Sequence, residues 1–480
     1  MSTIIGRAKE IDELMSIYRR HQSQLVAVYG RRRVGKTFLI RELFKDSFAF
    51  YHTGMSPAEL QDNNLLEAQL SAFYSTLKRY GYKSNTCPKN WLDAFDCLIE
   101  LLSKVNKDER TVVFIDEMPW MDTPRSGFIT AFEHFWNGWG AGQDNLMLIV
   151  CGSATSWIQT NLINSYGGLY DRVNAEICLS PFNLYETEQL LKAQDVTLPR
   201  YDILQLYMAV GGIPMYLSYV QPGKSLAQII DDLYFVRKAK LKNEFDRLFN
   251  SIFRHPEQYK KVVKLLSERQ CGYSRDDISK KLGISSGNGL SNILNTLEES
   301  DFIEYYQPFG NSKREMCYRL IDPFCLFYLN QVDGKRRKDN FWQENENLSS
   351  LSTWRGRAFE NACISHIEQI KKALGVVGVS SDNSPWTIKG NESKDGMQID
   401  LIIKRSDRVV NVCEMKFVNS EFEVKKEYET KLRDRLNQVK ELVSRIHNIQ
   451  MTLVTTYGLK YGIHSGVFQK TVVLDDLFSA

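Results

Sequence analysis

The first third of the chain alternates short apolar runs with a helical pattern. Leu25–Tyr29 is an apolar run that precedes a polar loop bounded by glycines, and Phe38–Phe44 continues with helical spacing. A second apolar run, Val112–Ile115, ends in Asp116, and a third is "LMLIVC". Apolar runs of this length, bounded by turn signals and followed by a helix, predict an α/β fold with buried strands.

The middle of the chain is mainly helical in pattern. Leu184–Leu248 has apolar residues at spacings of three and four, which predicts several helices. A helix-turn-helix follows, with Gly283 in the turn and Ile284–Glu299 as the second helix. The alternating segments "DFIEYY" and "EMCYRLID", with "PFGNSKR" between them as a wing, complete the pattern of a winged helix.

The second helix of this element has an unusual composition for a DNA-reading helix. Ile284–Glu299 contains no lysine or arginine, whereas contacts with phosphates normally dominate affinity for a duplex. Lys313 and Arg314 on the wing are the residues here that favour DNA. A packing or relay role for the element and a DNA-binding role both stay open.

The last third begins with "DGKRRKDNFWQENENLSSLSTW", which is polar, has little periodicity and predicts a linker. A helix follows in which Glu360, Ile364 and Ile367 are spaced to share one face, so a glutamate lies on its apolar side. Next comes a predicted hairpin, "GMQIDLIIKRSDRVVNVCEMKF", with its turn near Ser406.

Charged residues interrupt the apolar strands of this hairpin. With the turn near Ser406, Asp400 is expected opposite Val412 and diagonal to Glu414, and the alternation of side chains places Asp400, Glu414 and Lys416 on one face. Together with Glu360 they predict a pocket in which Asp400 and Glu414 hold Mg²⁺ and Lys416 helps to activate water. Two alternatives stay open, a structural cluster of ion pairs and a folded pocket of this kind that has lost its activity.

Composition narrows the class of protein only moderately. The 480 residues predict about two to four domains, and 43% hydrophobic with 25% charged residues is typical of a soluble globular protein. A net charge of +3 neither requires nor excludes nucleic acid. The nine cysteines show no metal or disulfide spacing, which favours a cytoplasmic protein. Neither a membrane span nor a signal peptide is expected.

The loop "GRRRVGKT" carries the clearest chemistry. It fits the spacing GxxxxGKT between a strand and a helix, in which backbone N–H groups surround a phosphate. Lys36 is expected to reach the β and γ phosphates of ATP, and the Thr37 hydroxyl to hold Mg²⁺. The predicted nucleotide-contacting residues of the loop are Gly30, Arg31, Arg32, Arg33, Val34, Gly35, Lys36, Thr37 and Phe38.

Residues that follow two later strands, and one residue that precedes a third, are expected to complete the ATP site. Asp116 is predicted to bind the nucleotide-bound Mg²⁺, and Glu117 to polarise the attacking water as a general base. Ser153 has two interpretations, a contact with the γ-phosphate or water and the N-cap of the following helix. Arg172 is either a catalytic arginine, acting in cis or on a neighbour, or a surface residue.

These motifs resemble known families. "SFAFYHTG" lies between the phosphate loop and "FIDE", and this order, with Glu117 directly after Asp116, resembles the additional-strand P-loop ATPases of the AAA+ and STAND group. Gly6 and Arg7 in "IIGRAKEIDEL" look like their adenine-side box, and "LYMAVGGIPMYL" is similar to their lid segment. Glu360, Asp400 in "QID" and "EMK" resemble the PD-(D/E)xK nucleases.

Taken whole, the chain resembles prokaryotic archaeal-type ATPases that carry a nuclease-like domain after an AAA+ ATPase and a winged helix. The resemblance implies the following domains: a P-loop ATPase core at 1–182, a helical lid at 183–255, a winged helix at 256–332, a linker at 333–352 and a nuclease-like α/β domain at 353–480.

The function implied is an ATP-regulated, Mg²⁺-dependent nuclease acting on DNA. The alternative is a non-cleaving ATP-dependent switch that uses the nuclease-like fold for binding. ATP and DNA are the expected partners, no membrane is expected, and assembly into a homo-oligomer is left open.

Overall fold

The computed structural model of the chain describes residues 4–56, 64–105, 109–165, 167–253, 255–309, 315–346, 348–388, 397–443 and 445–480. The chain forms two compact units. The first consists of Met1–Ser180 with Asn250–Arg254, and the second of Pro181–Phe249 with His255–Ala480. Within the described ranges, no helix combines the length and apolar character that a membrane span requires.

The first unit is built on a parallel five-stranded sheet with the order β2-β3-β4-β1-β5. Its elements are α1 Ala8–Tyr18, β1 Gln24–Tyr29, α2 Lys36–Phe44, β2 Phe48–Thr53, α3 Leu65–Arg79, α4 Trp91–Leu102, β3 Thr111–Asp116, α5 Phe128–Gly138, β4 Leu146–Cys151, α6 Thr155–Ile158 and β5 Ala175–Cys178. Strand β4 separates β1 from β3, as the additional-strand resemblance implies. The carboxyl ends of β1, β3 and β4 therefore meet at one edge of the sheet.

Aromatic residues fill the helical layer against this sheet. The rings of Trp91 and Phe128 lie 4.9 Å apart, and those of Phe95 and Phe135 lie 5.1 Å apart. Every residue of β1, β3 and β4 is buried. Burial of large aromatic side chains dominates core energetics. The strands whose carboxyl ends carry the polar residues are therefore held by a well-packed core.

The second unit begins with helices and a three-stranded antiparallel sheet of order β6-β8-β7. The elements are α7 Leu184–Ala193, α8 Arg200–Val210, α9 Pro214–Leu217, α10 Leu226–Tyr234, α11 Glu244–Ile252, α12 Pro256–Ser267, β6 Tyr273–Ser274, α13 Arg275–Leu282, α14 Asn288–Glu299, β7 Ile303–Tyr306, β8 Cys317–Leu320, α15 Pro323–Phe327 and α16 Phe341–Asn345. Gly283 ends α13 in the left-handed conformation, with φ at 65°, as its predicted place in a turn requires.

Two predictions in this region need correction. Helix α14 begins at Asn288 rather than at residue 284, because a turn that includes Ser286 and Gly287 separates it from α13. The stretch predicted as a linker contains α16 and buried aromatic residues. Trp342 is 1% exposed, and its ring lies 5.4 Å from that of Phe327 and 5.7 Å from that of Trp354. The predicted wing residues Lys313 and Arg314 lie outside the described residues.

The second unit ends in a mixed five-stranded sheet of order β15-β13-β11-β10-β9. Strands β9, β10 and β11 are antiparallel, and β11, β13 and β15 are parallel. The elements are α17 Ser349–Ser365, α18 Ile367–Ala373, β9 Ser381–Ile388, β10 Met397–Arg405, β11 Val409–Lys416, β12 Phe422–Glu423, α19 Lys426–Leu442, β13 Asn448–Thr455, β14 Leu459–Lys460, β15 Lys470–Val473 and α20 Leu474–Leu477. Helix α17 packs on β11, and α19 connects β11 to β13.

The register of the hairpin differs from the prediction by two residues. Val412 pairs with Ile402, and Leu401 pairs with Cys413. Continuing this register by one residue places Asp400 opposite Glu414 instead of opposite Val412. The cause is the turn, which contains three residues and ends with Arg408 at a φ of 66°, a common geometry for three-residue hairpin loops.

Helix α17 also ends earlier than the sequence pattern predicts. His366 has φ −110° and ψ 32°, which separates α17 from α18. Ile367 therefore belongs to the next helix, so the continuous helix on which the prediction of a shared face with Glu360 and Ile364 rested is interrupted at His366. The His366 ring is fully buried and explains the break, because Nδ1 lies 2.7 Å from the Ala362 carbonyl oxygen and Nε2 accepts the Leu184 N–H at 2.9 Å.

The burial of His366 leads us to expect that the folded protein loses stability in mild acid. Burial lowers the pKa of this imidazole to about 4, from an ordinary value of 6.5. Between these two values the unfolded chain binds a proton that the folded chain does not, so stability falls as the pH falls through that window. The full effect of the shift is on the order of 3 kcal/mol.

The measurement is the free energy of unfolding of the second unit, determined by urea titration at several pH values between 7 and 4. His366→Gln is expected to flatten the dependence, because glutamine can donate and accept hydrogen bonds but does not titrate. His255→Gln, at an exposed position, serves as the control. Equal pH dependence of wild type and His366→Gln would assign the acid sensitivity to other groups.

Candidate functional site

The loop after β1 has the backbone conformation of an anion cradle. Gly30 has a φ of +127°, and a Cβ there would lie 2.3 Å from the Leu179 carbonyl oxygen, so only glycine fits. Gly35 also has a positive φ and precedes α2 without a side-chain cap, which leaves the first N–H groups of the helix for an anion. Lys36 is buried, and its Nζ donates to the Gly30 and Arg31 carbonyl oxygens at 2.9 Å each.

The second strand predicted to contribute brings Asp116 to this loop. The Thr37 hydroxyl donates to Asp116 Oδ2 at 2.9 Å, and the Glu117 N–H donates to Asp116 Oδ1 at 3.0 Å. Burial and the neighbouring charge of Glu117 raise the pKa of the Asp116 carboxyl group. A cation beside Asp116 would relieve both effects, so Thr37 and Asp116 fit Mg²⁺ chemically.

Glu117 and Ser153 are paired with each other. The Ser153 hydroxyl donates to Glu117 Oε2 at 2.9 Å, and the Ser153 N–H donates to the same oxygen at 3.2 Å. The N-cap of α6 is Ala154, without a side-chain cap bond, so the N-cap interpretation of Ser153 does not apply. Ser153 holds the carboxylate that was predicted as the general base.

The remaining loop residues have different surroundings. Val34 is buried, and its carbonyl oxygen accepts from Arg7 Nη2 at 3.2 Å. Arg32 stacks over the Trp120 ring at 5.6 Å, and Phe38 is 49% exposed on the first turn of α2. Arg31 is buried, whereas Arg33 takes a left-handed conformation with φ 74°. Their contact with a nucleotide stays a prediction.

Arg172 is the predicted residue that the structure does not bring to the loop. It lies exposed in a turn before β5, and its side chain makes no hydrogen bond or ion pair with any described residue. Action in cis on the phosphate loop has no support from this position. Its role as a catalytic arginine stays a prediction.

Comparison with known proteins agrees with this geometry. Residues 4–220 match the family of ATPase domains found predominantly in Archaea. The match and the geometry of the loop support a P-loop ATPase over these residues, which we call the P-loop ATPase domain. Over 435 residues the chain is 21% identical to an uncharacterized protein of Methanocaldococcus jannaschii, a match that covers 88% of this chain and 90% of that protein.

Solved structures similar to the chain include a Walker-type ATPase of Pyrococcus abyssi, with a TM-score of 0.46 and 17% identity. That match covers 68% of this chain and 96% of the other. The ADP form of the ORC2 protein of Aeropyrum pernix matches with a TM-score of 0.36 and 14% identity, and covers 72% of this chain and 98% of the other.

A second cluster of charged residues lies outside the P-loop ATPase domain, on the mixed sheet. It contains all four residues predicted there: Asp400 on β10, Glu414 and Lys416 on β11, and Glu360 on α17. Lys416 Nζ lies 2.6 Å from Glu414 Oε1, and Asp400 Oδ2 accepts the Met415 N–H at 2.8 Å. We call these four residues the acidic cluster.

Burial and mutual repulsion dominate the electrostatics of the acidic cluster. Burial, and then the charge of Asp400, raise the pKa of the Glu360 carboxyl group. Burial, and then the charge of Glu414, do the same for Asp400. Burial acts to lower the pKa of Lys416, but the charges of Glu414 and Asp400 outweigh it and raise that pKa. Strongly shifted groups of this kind concentrate at functional sites.

Two residues of α19 also contact this cluster, and sequence reasoning missed them. The Tyr428 hydroxyl donates to Glu414 Oε1, and Arg435 Nη1 lies 2.5 Å from Glu414 Oε2. A signal was present, because Tyr428 and Arg435 are spaced like the buried Leu432 and Val439 of the same helix. A polar residue on the buried side of an amphipathic helix needs a partner.

The acidic cluster fits a divalent cation only in part. Carboxylate oxygens are the ligands that Mg²⁺ prefers, and among described residues Glu360 has no hydrogen bond or ion pair while Asp400 has a single one. Both oxygens of Glu414 are bonded to other side chains. In the described part of the chain, no three acidic, histidine or cysteine side chains are grouped as a metal site requires.

Proposed function

We propose that the chain is an ATP-regulated nuclease that depends on Mg²⁺ and acts on DNA. ATP binds in the P-loop ATPase domain, and the acidic cluster of the second unit cleaves the substrate. The observation that carries this proposal is the convergence of Glu360, Asp400, Glu414 and Lys416 from three elements into one partly buried cluster. Burial of charged groups costs free energy unless they are paired or bind a metal, and Asp400 and Glu414 are both buried here.

The fold around the cluster supports the nuclease interpretation. A helix that carries Glu360 precedes an antiparallel β9-β10-β11 meander, and α19 crosses from β11 to the parallel β13. This order resembles the PD-(D/E)xK nucleases, whose motif positions are occupied here by Glu360, Asp400, Glu414 and Lys416. We assign 353–480 to this nuclease-like domain and 183–255 to a helical lid.

The three-stranded sheet with α12, α13 and α14 supports a winged-helix assignment for 256–332. Its α14 contains no basic residue, so it is a poor contact for DNA phosphates. Lys280 and Lys281 lie exposed in the last turn of α13. We infer that this element contacts DNA weakly, through α13 and the wing, and that most affinity comes from elsewhere.

The residues have distinct roles in this proposal. Thr37 and Asp116 would hold Mg²⁺ with ATP, Asp400 and Glu414 would hold it in the acidic cluster, and Glu360 is the further catalytic carboxylate there. A bound Mg²⁺ supplies charge neutralisation and a more acidic water. Glu117 accepts a proton from water at the ATP site. Lys416, fixed by Glu414, keeps a positive charge beside the position of a substrate phosphate.

The test is cleavage by the purified protein of 480 residues. Single-stranded DNA, duplex DNA and RNA are incubated with Mg²⁺ or EDTA, each with and without ATP. We expect Mg²⁺-dependent cleavage of DNA that changes with ATP, and a loss of the ATP effect in Lys36→Ala because the phosphate loop loses its cation. Equal cleavage by wild type and Lys36→Ala at every ATP concentration would show that the two activities are uncoupled. Absence of cleavage under all conditions would overturn the proposal.

A second function is favoured by one observation. Glu414 is already neutralised by Lys416 and Arg435, as in a structural ion-pair cluster. A protein of this kind would be a non-cleaving switch, in which ATP alters the binding of a partner. It would hydrolyse ATP but leave every nucleic acid intact.

A further inference from the structure

Helix α19 supplies the partners that hold Glu414. This carboxylate is 2% exposed, and its two oxygens have different neighbours. Oε1 is shared by the Lys416 ammonium at 2.6 Å and the Tyr428 hydroxyl. Oε2 is bonded to Arg435 Nη1 at 2.5 Å, and no other described residue donates to it. For Oε1 to accept another ligand, Lys416 or Tyr428 must move. For Oε2, only Arg435 must move.

The other carboxylates of the acidic cluster are arranged differently. Asp400 accepts one backbone N–H, and Glu360 makes no hydrogen bond or ion pair with a described residue. Asp400 and Glu360 therefore have carboxylate oxygens that could bind a cation. Glu414 Oε2, in contrast, is covered by the guanidinium of Arg435. A divalent cation that binds Asp400 and reaches Glu414 through Oε2 must take the place of this guanidinium.

We propose that Arg435 is the resident counter-charge of the acidic cluster, which a divalent cation must displace from Glu414 Oε2. The inference rests on the proposed function, since it concerns the same cluster. A guanidinium does not lose its proton in a protein, so Arg435 leaves only by moving. Its side chain is 23% exposed and can turn its charged end toward water while its stem stays packed.

Charge repulsion explains why the displacement of Arg435 affects the affinity of the acidic cluster for a divalent cation. Two cations beside one carboxylate repel each other strongly at short range, so binding a divalent ion next to Arg435 is opposed until the guanidinium withdraws. Lys416 differs, because it bonds to Oε1 and leaves Oε2 accessible. The position of Arg435 on α19 therefore sets the affinity of the acidic cluster for a divalent cation.

The experiment measures Mn²⁺ binding to the full-length protein without nucleotide, by the electron paramagnetic resonance signal of free Mn²⁺. The site of interest is the one lost in Asp400→Asn. We expect Arg435→Gln to bind Mn²⁺ at this site at least about threefold more tightly than wild type, because a competing charge is gone. Arg433→Gln is the matched control, since Arg433 lies on the same helix, is 59% exposed and pairs with Glu429 at 2.6 Å.

Arg435→Met, which keeps a long side chain without the charge, is the second variant if Arg435→Gln does not fold. Unchanged or weaker Mn²⁺ binding in a folded Arg435 variant, with an Asp400-dependent site in wild type, would overturn the role of Arg435 and leave the proposed nuclease intact. If neither wild type nor the variant has an Asp400-dependent site, both the counter-charge role and the metal-dependent nuclease are overturned.

Discussion

Replacing Glu117 with glutamine is expected to reduce ATP turnover by about 10²-fold or more and to leave ATP binding intact. General-base catalysis contributes about that much to a rate, and glutamine cannot accept the proton. Binding is retained because the loop glycines, Lys36 and the Thr37–Asp116 pair are unchanged. The Ser153 hydroxyl can donate to the new amide oxygen as it does to the carboxylate.

The measurement combines phosphate release under saturating ATP with calorimetric binding of ATP. Lys36→Ala is the informative contrast, because it should lose binding as well as turnover. Glu67→Gln, an exposed position of the same unit, is the control for changing a glutamate to glutamine. Normal ATP turnover in Glu117→Gln would show that Glu117 is not the general base and would leave Asp116 as the candidate.

Replacing Asp400 with asparagine is expected to reduce Mg²⁺-dependent cleavage by about 10²-fold or more, while ATP turnover stays at the wild-type level. A metal ion contributes several kcal/mol to the stabilisation of a transition state, and the variant removes one charged ligand. Asparagine keeps an oxygen that can accept the Met415 N–H, so the strand pairing is retained. The ATP site lies in the other unit.

Melting curves give a readout that does not depend on a substrate. Millimolar Mg²⁺ should raise the melting temperature of wild type more than that of Asp400→Asn, because a ligand stabilises the state that binds it. Asp407→Asn, in the turn of the same hairpin, is the control. No stabilisation of wild type by Mg²⁺, together with no cleavage, would favour the non-cleaving switch.

The geometry around the phosphate loop was largely visible in the sequence because its residues are local, while their contacts with a nucleotide stay a prediction. The loop from Gly30 to Thr37 is contiguous, and Asp116 and Glu117 directly follow an apolar run. A short motif fixes backbone conformation and side-chain order at once, so little depends on distant packing. The pairing of Ser153 with Glu117 was beyond sequence reasoning, because it depends on the orientation of two loops from different strands.

The acidic cluster was predictable in its members but not in its geometry. A charged residue in an apolar strand is conspicuous, which identified Asp400, Glu414 and Lys416. The register required the turn conformation, and Arg408 adopts a left-handed φ that the sequence does not specify. Arg435 was missed because α19 contains several lysine and arginine residues, and composition alone does not show which of them faces the protein interior.

The anchoring of α17 has a consequence for dissecting the chain. Two residues that flank Glu360 bond to the α12–β8 region: Arg357 Nη2 donates to the Ser267 carbonyl oxygen at 2.7 Å, and Asn361 Nδ2 donates to the Leu320 carbonyl oxygen at 3.1 Å. A fragment that starts at Ser349 would lose both partners and expose the buried side of the helix to water. A fragment that begins at Ser349 is therefore not expected to fold as the intact chain does, and the acidic cluster should be studied in the longer protein.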